Sequence, residues 1–314
     1  MLSLGYKVVI QLKSMQINEK EIIVNYPQNR PYLFQFSIVL EKGSNFPFEG
    51  DYSLIIENER LISLSKRSDD NYKQGQSWIF KIEAFKTASE AESFTLKLIQ
   101  GVLWSSIKNK YGLRLLYNSS LPFEINNRAS KVGSSFSISA ELSIIYSAIN
   151  IIEPISDIIK SATPIDSKLL IACELFTSAR LESTERAKFV GLVSSLEPLC
   201  EQNDYGIPDL SEKIKQLKEI IEKTKYDEKI KNSLLGRIEG LKKESVSQSI
   251  KRTIEAYFPN DKETVDTILD AYNTRSKILY EGLVDPDLNI KSYKVEEIVR
   301  QILEKKIIEI YLKK

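Results

Sequence analysis

The chain contains no histidine, and among its 314 residues it has only two cysteines, two methionines and two tryptophans. The missing histidine excludes every histidine-dependent triad and the HExxH zinc motif. Cys173 and Cys200 lie in apolar helical context with no Cys or His partner near in sequence. Neither a disulfide framework nor a zinc site is signalled, and both read as buried thiols. No stretch reaches the roughly eighteen apolar residues that a membrane span needs. The first residues, MLSLGYKVVIQLKSMQ, alternate and carry lysines rather than forming an apolar block, so a cytoplasmic protein with no membrane partner is expected. Lysine and arginine number 44 against 43 acidic residues, a balance that exerts no overall pull on nucleic acid or anionic lipid. A nucleic-acid site must then be a local patch. There is no GxxxxGK[ST] phosphate loop, no GxGxxG after a strand and no GxSxG elbow. Asp204, Asp209, Asp285 and Asp287 lack the alternating spacing of a calcium loop. No cofactor and no metal are expected.

What is present divides into two patterns. At this length two domains are the ordinary expectation, and 42% hydrophobic residues supply a core for each. To about residue 125 the apolar residues recur mostly with period two, in KVVIQL, EIIVNY, YLFQFSIVL, DYSLIIEN, SWIFKIEAF and GLRLLYN. These predict five to seven strands. Thr87-Ala88-Ser89-Glu90 has the spacing of a capping box, and Ala91, Phe94, Leu98 and Val102 continue at helical intervals, predicting a helix over about 88–109. Trp78, Phe80, Phe94 and Trp104 offer either a base-stacking platform or core packing, and their spacing favours packing. Small and polar residues from about 126, then Pro154 and Pro164, mark a linker with a short helix or two. The expected boundary is near residue 145: a mainly-β domain over 1–145 and a helical domain over 146–314. The fold class predicted is α+β.

In the helical part, Asp166 is a cap for a helix presenting Leu169, Leu170, Cys173, Phe176 and Leu181. A second helix, TERAKFVGLVSSLEPLCEQ, presents Phe189, Val193, Leu196 and Leu199. Glutamate and lysine then mix at three-and-four spacing through 210–258, as on solvated helix faces. Lys242, Lys243, Lys251 and Arg252 cluster in sequence and suit either that role or phosphate contact. The final segment, VEEIVRQILEKKIIEIYL, is amphipathic and suits bundle closure or a dimer face.

Near the end of the chain stands Ala271-Tyr272-Asn273-Thr274-Arg275-Ser276-Lys277-Ile278-Leu279-Tyr280-Glu281-Gly282. Val265, Ile268, Leu269 and Tyr272 recur as an apolar helix face to which Leu279 returns, which puts Arg275 at the edge of a buried stripe. Gly282 is placed for a left-handed cap, with Pro286 beyond it, so Tyr280 belongs to the last turn. The segment resembles the signature of the Apea-like group of the HEPN superfamily, in which Asn-x-Arg is followed by histidine and then glycine. Asn273, Arg275 and the glycine match, and the histidine position is Tyr280. The strand, helix and strand around TASEAESFTLKLIQGVLWSSIKNKYGLRL are similar to those that precede the helical domain in Apea-like proteins. The ERAKFVGLVSSLEPL segment is similar to their opening hairpin. The resemblance covers about 166–310 and implies an all-α HEPN-like bundle. It further implies a homodimer with paired motifs and metal-independent RNA cleavage in a prokaryotic antiviral-defence, toxin–antitoxin or abortive-infection system.

Cleavage without metal needs a base for the 2′-hydroxyl, stabilisation of charge on the phosphoryl group and a proton for the leaving oxygen. Arg275 suits the second task through its permanently charged, forked donors; otherwise it pairs with an acid on a neighbouring helix. Five residues on a helix turn through about 140° beyond one full turn, so Arg275 and Tyr280 share a site only if the last turn unwinds or a second copy contributes. A tyrosine, with a pKa near 10, is a poorer base than histidine near 6.5, but it can donate to phosphate or stack on a base. Glu281 is a substitute base and Lys277 a further phosphate contact, each set against a plain helix-end role. By the resemblance, Glu197 takes an acidic position of the LEPL-like segment and orients the arginine. Asn273, on another face, suits inter-helix hydrogen bonding. Two functions stay open: an active endoribonuclease, or an inactive HEPN-derived RNA- or nucleotide-binding or scaffolding protein. Replacement of the motif histidine to silence a toxic enzyme is a third origin for Tyr280. The β-rich domain is expected to sense a trigger or regulatory partner.

Overall fold

The computed structural model describes residues 32–46, 52–56, 60–66, 76–117, 123–127, 144–145, 148–282 and 285–313. The strands expected in KVVIQL and EIIVNY, and residues 128–143 of the expected linker, lie outside them. Two compact units divide the chain, residues 1–188 with 303–314 and residues 189–302. The class is α+β, with an antiparallel sheet first and helices after it.

In the first unit the sheet is organised on β1 (Tyr32–Leu40), whose YLFQFSIVL run is buried almost throughout. β3 (Tyr52–Ile56), β4 (Arg60–Lys66) and β5 (Ser77–Phe85) precede it in spatial order, with β5 along one edge of β1. Its other edge is shared: β6 (Leu113–Leu116) pairs Ser37–Leu40 and β7 (Glu124–Asn127) pairs Tyr32–Gln35, all antiparallel. Two short parallel strands, β2 (Ser44–Asn45) and β8 (Ile144–Ile145), stand apart. β4, in RLISLSK, was not among the predicted strands.

The helix expected over about 88–109 is α1 (Ala88–Asn109). Thr87 Oγ1 accepts from the Glu90 amide at 3.1 Å, while the Glu90 carboxylate accepts from the Lys86 amide rather than from Thr87, so the cap is satisfied one residue earlier than a reciprocal box requires. Trp78, Phe80 and Trp104 are buried. Phe80 stacks on Phe36 at 4.8 Å, and Phe46 packs on Trp78 at 5.4 Å; these aromatics are core.

Two further helices, α2 (Ala148–Lys160) and α3 (Ser167–Ala179), lie C-terminal to residue 145 in sequence and pack on α1 in this same unit. Pro154 does not end α2. A proline at this position leaves the carbonyl of Asn150 without its helical donor, and the Asn109 side-chain amide supplies one at 2.8 Å. Gly101 allows the approach, since a Cβ there would stand 2.9 Å from the Ile155 Cα. Asp166 caps α3 as expected, accepting from the Lys168 and Leu169 amides. Its backbone amide donates to Tyr311 Oη at 2.9 Å, in the π-helical turn Ile308–Leu312.

The second unit holds most of the remaining helices. α4 (Glu185–Ser194) stops five residues short of the predicted face, because Pro198 breaks the run and a 3-10 turn, Glu197–Leu199, replaces it. The charge-rich stretch is three helices: α5 (Pro208–Glu222), α6 (Glu228–Gly240) and α7 (Val246–Tyr257). Ser245 and Gln248 form a complete capping box at α7. α8 (Lys262–Glu281) begins at Asp261, which accepts from the Thr264 amide, and ends at Gly282 with φ 68°, the left-handed cap predicted for it. α9 (Leu288–Ile307) follows. Among the described residues no helix is long and apolar enough to cross a membrane.

Candidate functional site

α8 separates the residues that the sequence motif groups together. Its buried side carries Val265, Ile268, Ala271 and Thr274, and Arg275 lies within that side rather than at its edge, with its side chain 17% exposed. Leu279, expected on the same face, is half exposed instead, because the buried face ends before the last turn. Tyr280 is 82% exposed and stands about 140° around the helix from Arg275. Asn273, Lys277 and Glu281 are exposed with it.

Arg275 is held from three directions. Nη2 donates to Ser194 Oγ at 3.3 Å and approaches Glu197 Oε1 at 3.2 Å, and the guanidinium carbon stands 6.0 Å from the Tyr272 ring centroid. The chain places these partners simply. Ser194 ends α4, Glu197 opens the 3-10 turn that Pro198 enforces, and Tyr272 lies one turn back from Arg275 on α8. The contact with Glu197 is a contact of charges without hydrogen-bond alignment, and Arg275 Nε is buried without a hydrogen-bond partner among the described residues. Such a pair, still partly wet, contributes less than about 1 kcal/mol. Burial first, and then the Glu197 carboxylate, push the Tyr272 phenol above its usual range, which keeps Tyr272 neutral beside the arginine.

One turn away, Lys291 on α9 reaches Asp270 and Asp285 at 3.0 Å each, and Thr274 Oγ1 at 3.5 Å. These contacts tie the start of α9 to the stretch of α8 that carries Arg275. The hydrogen bond that Lys291 donates to the Asp270 carboxylate raises the ammonium pKa, while the Asp287 amide holds Asp285 below the usual carboxylate range.

Of the predicted residues, then, Glu197 and Arg275 come together, while Asn273, Lys277, Tyr280 and Glu281 lie outward. Sequence reading missed Ser194 and Lys291, and it counted Tyr272 only as part of the apolar stripe. The basic cluster is largely engaged internally: Lys242 pairs with Glu239 at 2.6 Å, Arg252 with Glu244 at 2.5 Å and Lys251 with Glu255 at 3.8 Å. Both cysteines are free and buried; burial pushes the Cys173 thiol up to about 12 and the Cys200 thiol up to about 11. No group of metal-ligating side chains is present among the described residues.

The class this defines is an α+β protein whose helical unit holds a half-buried arginine against an acid and a tyrosine. No protein-family model, no curated protein and no solved structure matches the chain.

Proposed function

We propose that this chain acts on RNA as a HEPN-like protein of a prokaryotic defence or toxin system. In this reading Arg275 contacts the phosphate backbone, and a second copy completes a site that cleaves without metal. One observation carries the reading: Arg275 is preplaced within α8 with an unpartnered Nε and only a loosely aligned carboxylate. A phosphate oxygen pair offers a guanidinium the bidentate geometry that Glu197 does not supply, so phosphate can displace Glu197 at small cost. The arginine would stabilise charge on the phosphoryl oxygens while the 2′-hydroxyl attacks phosphorus and the 5′-oxygen leaves with a proton. Tyr280 and Glu281 from the facing copy supply the groups for proton transfer, with Asn273 and Lys277 beside them on the RNA.

Binding without cleavage is a second reading, and the exposure of Tyr280 favours it. A phenol that is 82% exposed and has no hydrogen bond among the described residues is not positioned by a neighbour for proton transfer. It remains suited to stacking on a nucleobase. The test is incubation of the full chain with a mixed pool of labelled RNA in EDTA, beside Arg275→Ala and Tyr280→His variants. Cutting that is lost in Arg275→Ala is the expected result. Binding without cutting, with cleavage appearing in Tyr280→His, selects the second reading. Neither binding nor cutting by any form overturns both.

A further inference from the structure

Two buried atoms of the arginine site lack a hydrogen-bond partner among the described residues, and their needs are opposite: Arg275 Nε is a donor and Glu197 Oε1 an acceptor. They do not satisfy each other. Glu197 Oε1 lies 3.2 Å from Arg275 Nη2 without alignment, and that same Nη2 already donates to Ser194 Oγ. Both side chains are nevertheless within reach of a ligand, at 17% and 35% exposed. A phosphate on the arginine answers the donor, because its oxygens accept from Nε and Nη2 together. It does nothing for the acceptor. Losing the arginine costs the carboxylate little, but standing unpaired beside the phosphate's negative charge costs more.

The turn that carries the carboxylate is fixed. Glu197 opens the 3-10 turn Glu197–Leu199, and Pro198 restrains the backbone after it. The Leu199 amide donates to the Leu196 carbonyl at 3.0 Å and the Cys200 amide to the Glu197 carbonyl at 3.1 Å, while buried Leu196 and Cys200 anchor the turn on either side. A phosphate seated on Arg275 therefore stands beside Glu197, and the best ligand brings a hydrogen-bond donor along with its phosphate.

An RNA backbone carries such a donor. The ribose 2′-hydroxyl sits on the carbon next to the one that bears the 3′-phosphate, so it arrives with the phosphate, and deoxyribose has no donor there. We propose that Glu197 selects RNA over DNA: its Oε1 accepts from the 2′-hydroxyl of the nucleotide whose 3′-phosphate Arg275 holds. A DNA backbone leaves the carboxylate unpaired beside its phosphate, a penalty that falls on the wrong ligand alone. This task differs from aligning the arginine, for which the Glu197 contact is poorly directed. The inference rests on the proposed reading of Arg275 as a phosphate contact, but it concerns binding and requires neither cleavage nor a second copy.

The test is binding of the full chain, in EDTA, to three labelled single strands of one sequence: RNA, DNA and 2′-fluoro RNA. Anisotropy is read in the first seconds after mixing, so that intact strands are compared. The fluoro sugar keeps the RNA pucker but cannot donate, which separates the hydroxyl proton from backbone shape. RNA should bind about tenfold to a hundredfold more tightly than either other strand. Glu197→Leu, which has no acceptor, should bind RNA and 2′-fluoro RNA alike, while Glu197→Gln, whose amide oxygen still accepts, should keep RNA ahead. Should Glu197→Leu lose helical circular dichroism, Glu197→Ala takes its place. A preference for RNA over the fluoro strand that survives removal of the acceptor overturns the proposal. Equal binding of the two strands by the unmodified chain also overturns it, with no variant needed. If that equal binding is still abolished by Arg275→Ala, the phosphate contact stands and only the selecting role of Glu197 falls. No binding of any strand removes the proposed function as well.

Discussion

The two units keep their shape by different means. The first buries large aromatic side chains in one cluster: Phe34 meets Phe85 and Phe123, and Phe36, Phe46, Phe80 and Trp78 meet one another at ring-centroid distances of 4.8 to 6.4 Å. Among the second unit's buried residues Phe189 is the one large aromatic, and Ile250, Ile254, Val265, Ile268, Val295 and Val299 make an aliphatic seam. Around that seam run ion pairs and caps such as Lys218 with Glu239, Arg252 with Glu244 and Asp261 with Thr264. Burial supplies kilocalories per side chain, whereas exposed pairs supply tenths. The first unit is accordingly built to hold one arrangement. The second leaves apolar side chains such as Ile220 exposed and holds Arg275 by loosely aligned contacts.

Large core truncations should show the contrast most strongly. Trp78→Ala should cost about 3–5 kcal/mol in urea unfolding, as for other fully buried aromatics, whereas Ile220→Ala should stay within about 0.5 kcal/mol. Equal costs at the two positions would break the comparison. Glycine substitutions come next, because the same change should act with opposite sign. Gly101→Ala brings a methyl against the Ile155 backbone at 2.9 Å, an overpacking worth about 1–3 kcal/mol of destabilisation. Gly236 lies inside α6 with nothing within 4 Å of the point where an added methyl would stand, so Gly236→Ala should stabilise by about 0.5–1 kcal/mol. Thermal unfolding of the two variants in parallel checks both signs. Asp261→Ala, which removes the cap of α8, should cost about 1 kcal/mol and register in helical circular dichroism.

Most of this contrast was legible in the sequence, and the part that was not has local causes. Period-two runs such as YLFQFSIVL and SWIFKIEAF announced strands because one strand face must be buried. Thr87, Asp166 and Gly282 announced helix ends through hydrogen bonds that the chain makes with its own neighbours. RLISLSK escaped because alternating serines weaken the apolar signal, although its pairing with β3 and β5 fixes it in the sheet. Pro154 read as a break, since the asparagine that satisfies the freed carbonyl lies 41 residues away in sequence. The same limit governed the site. The Asn273–Gly282 motif lies within one helix, and helix periodicity alone separates Arg275 from Tyr280. The partners Ser194 and Glu197 come from a turn 78 to 81 residues earlier, and Ser194 left no local mark.

The smallest effect expected is also the one that separates the units most cleanly, because it changes no residue. In the second unit, hydrogen bonds from Lys218 and then Lys242 hold the Glu239 carboxyl down to about 2. Arg252 lowers Glu244 and the Thr264 amide lowers Asp261. A carboxyl depressed in the folded state contributes stability that is complete above its unfolded pKa, near 4, and is lost as pH falls through the folded value. In the first unit the shifts run the other way. Burial raises Glu174, and burial followed by Glu153 raises Asp157. Their contribution is therefore complete below the unfolded pKa and is lost as pH rises through the folded one. Acidification between about pH 5 and pH 2 should weaken the second unit while sparing the first. Both tryptophans, Trp78 and Trp104, belong to the first unit, so their fluorescence follows that unit alone, while circular dichroism at the helical band also follows α5 to α8. On acidification the helical transition should move to lower temperature ahead of the fluorescence transition. Lys218→Met should narrow the gap by removing the strongest support for Glu239. Two transitions that move together at every pH would mean that the units share one source of stability, and the contrast between aromatic burial and surface charge would no longer explain the molecule.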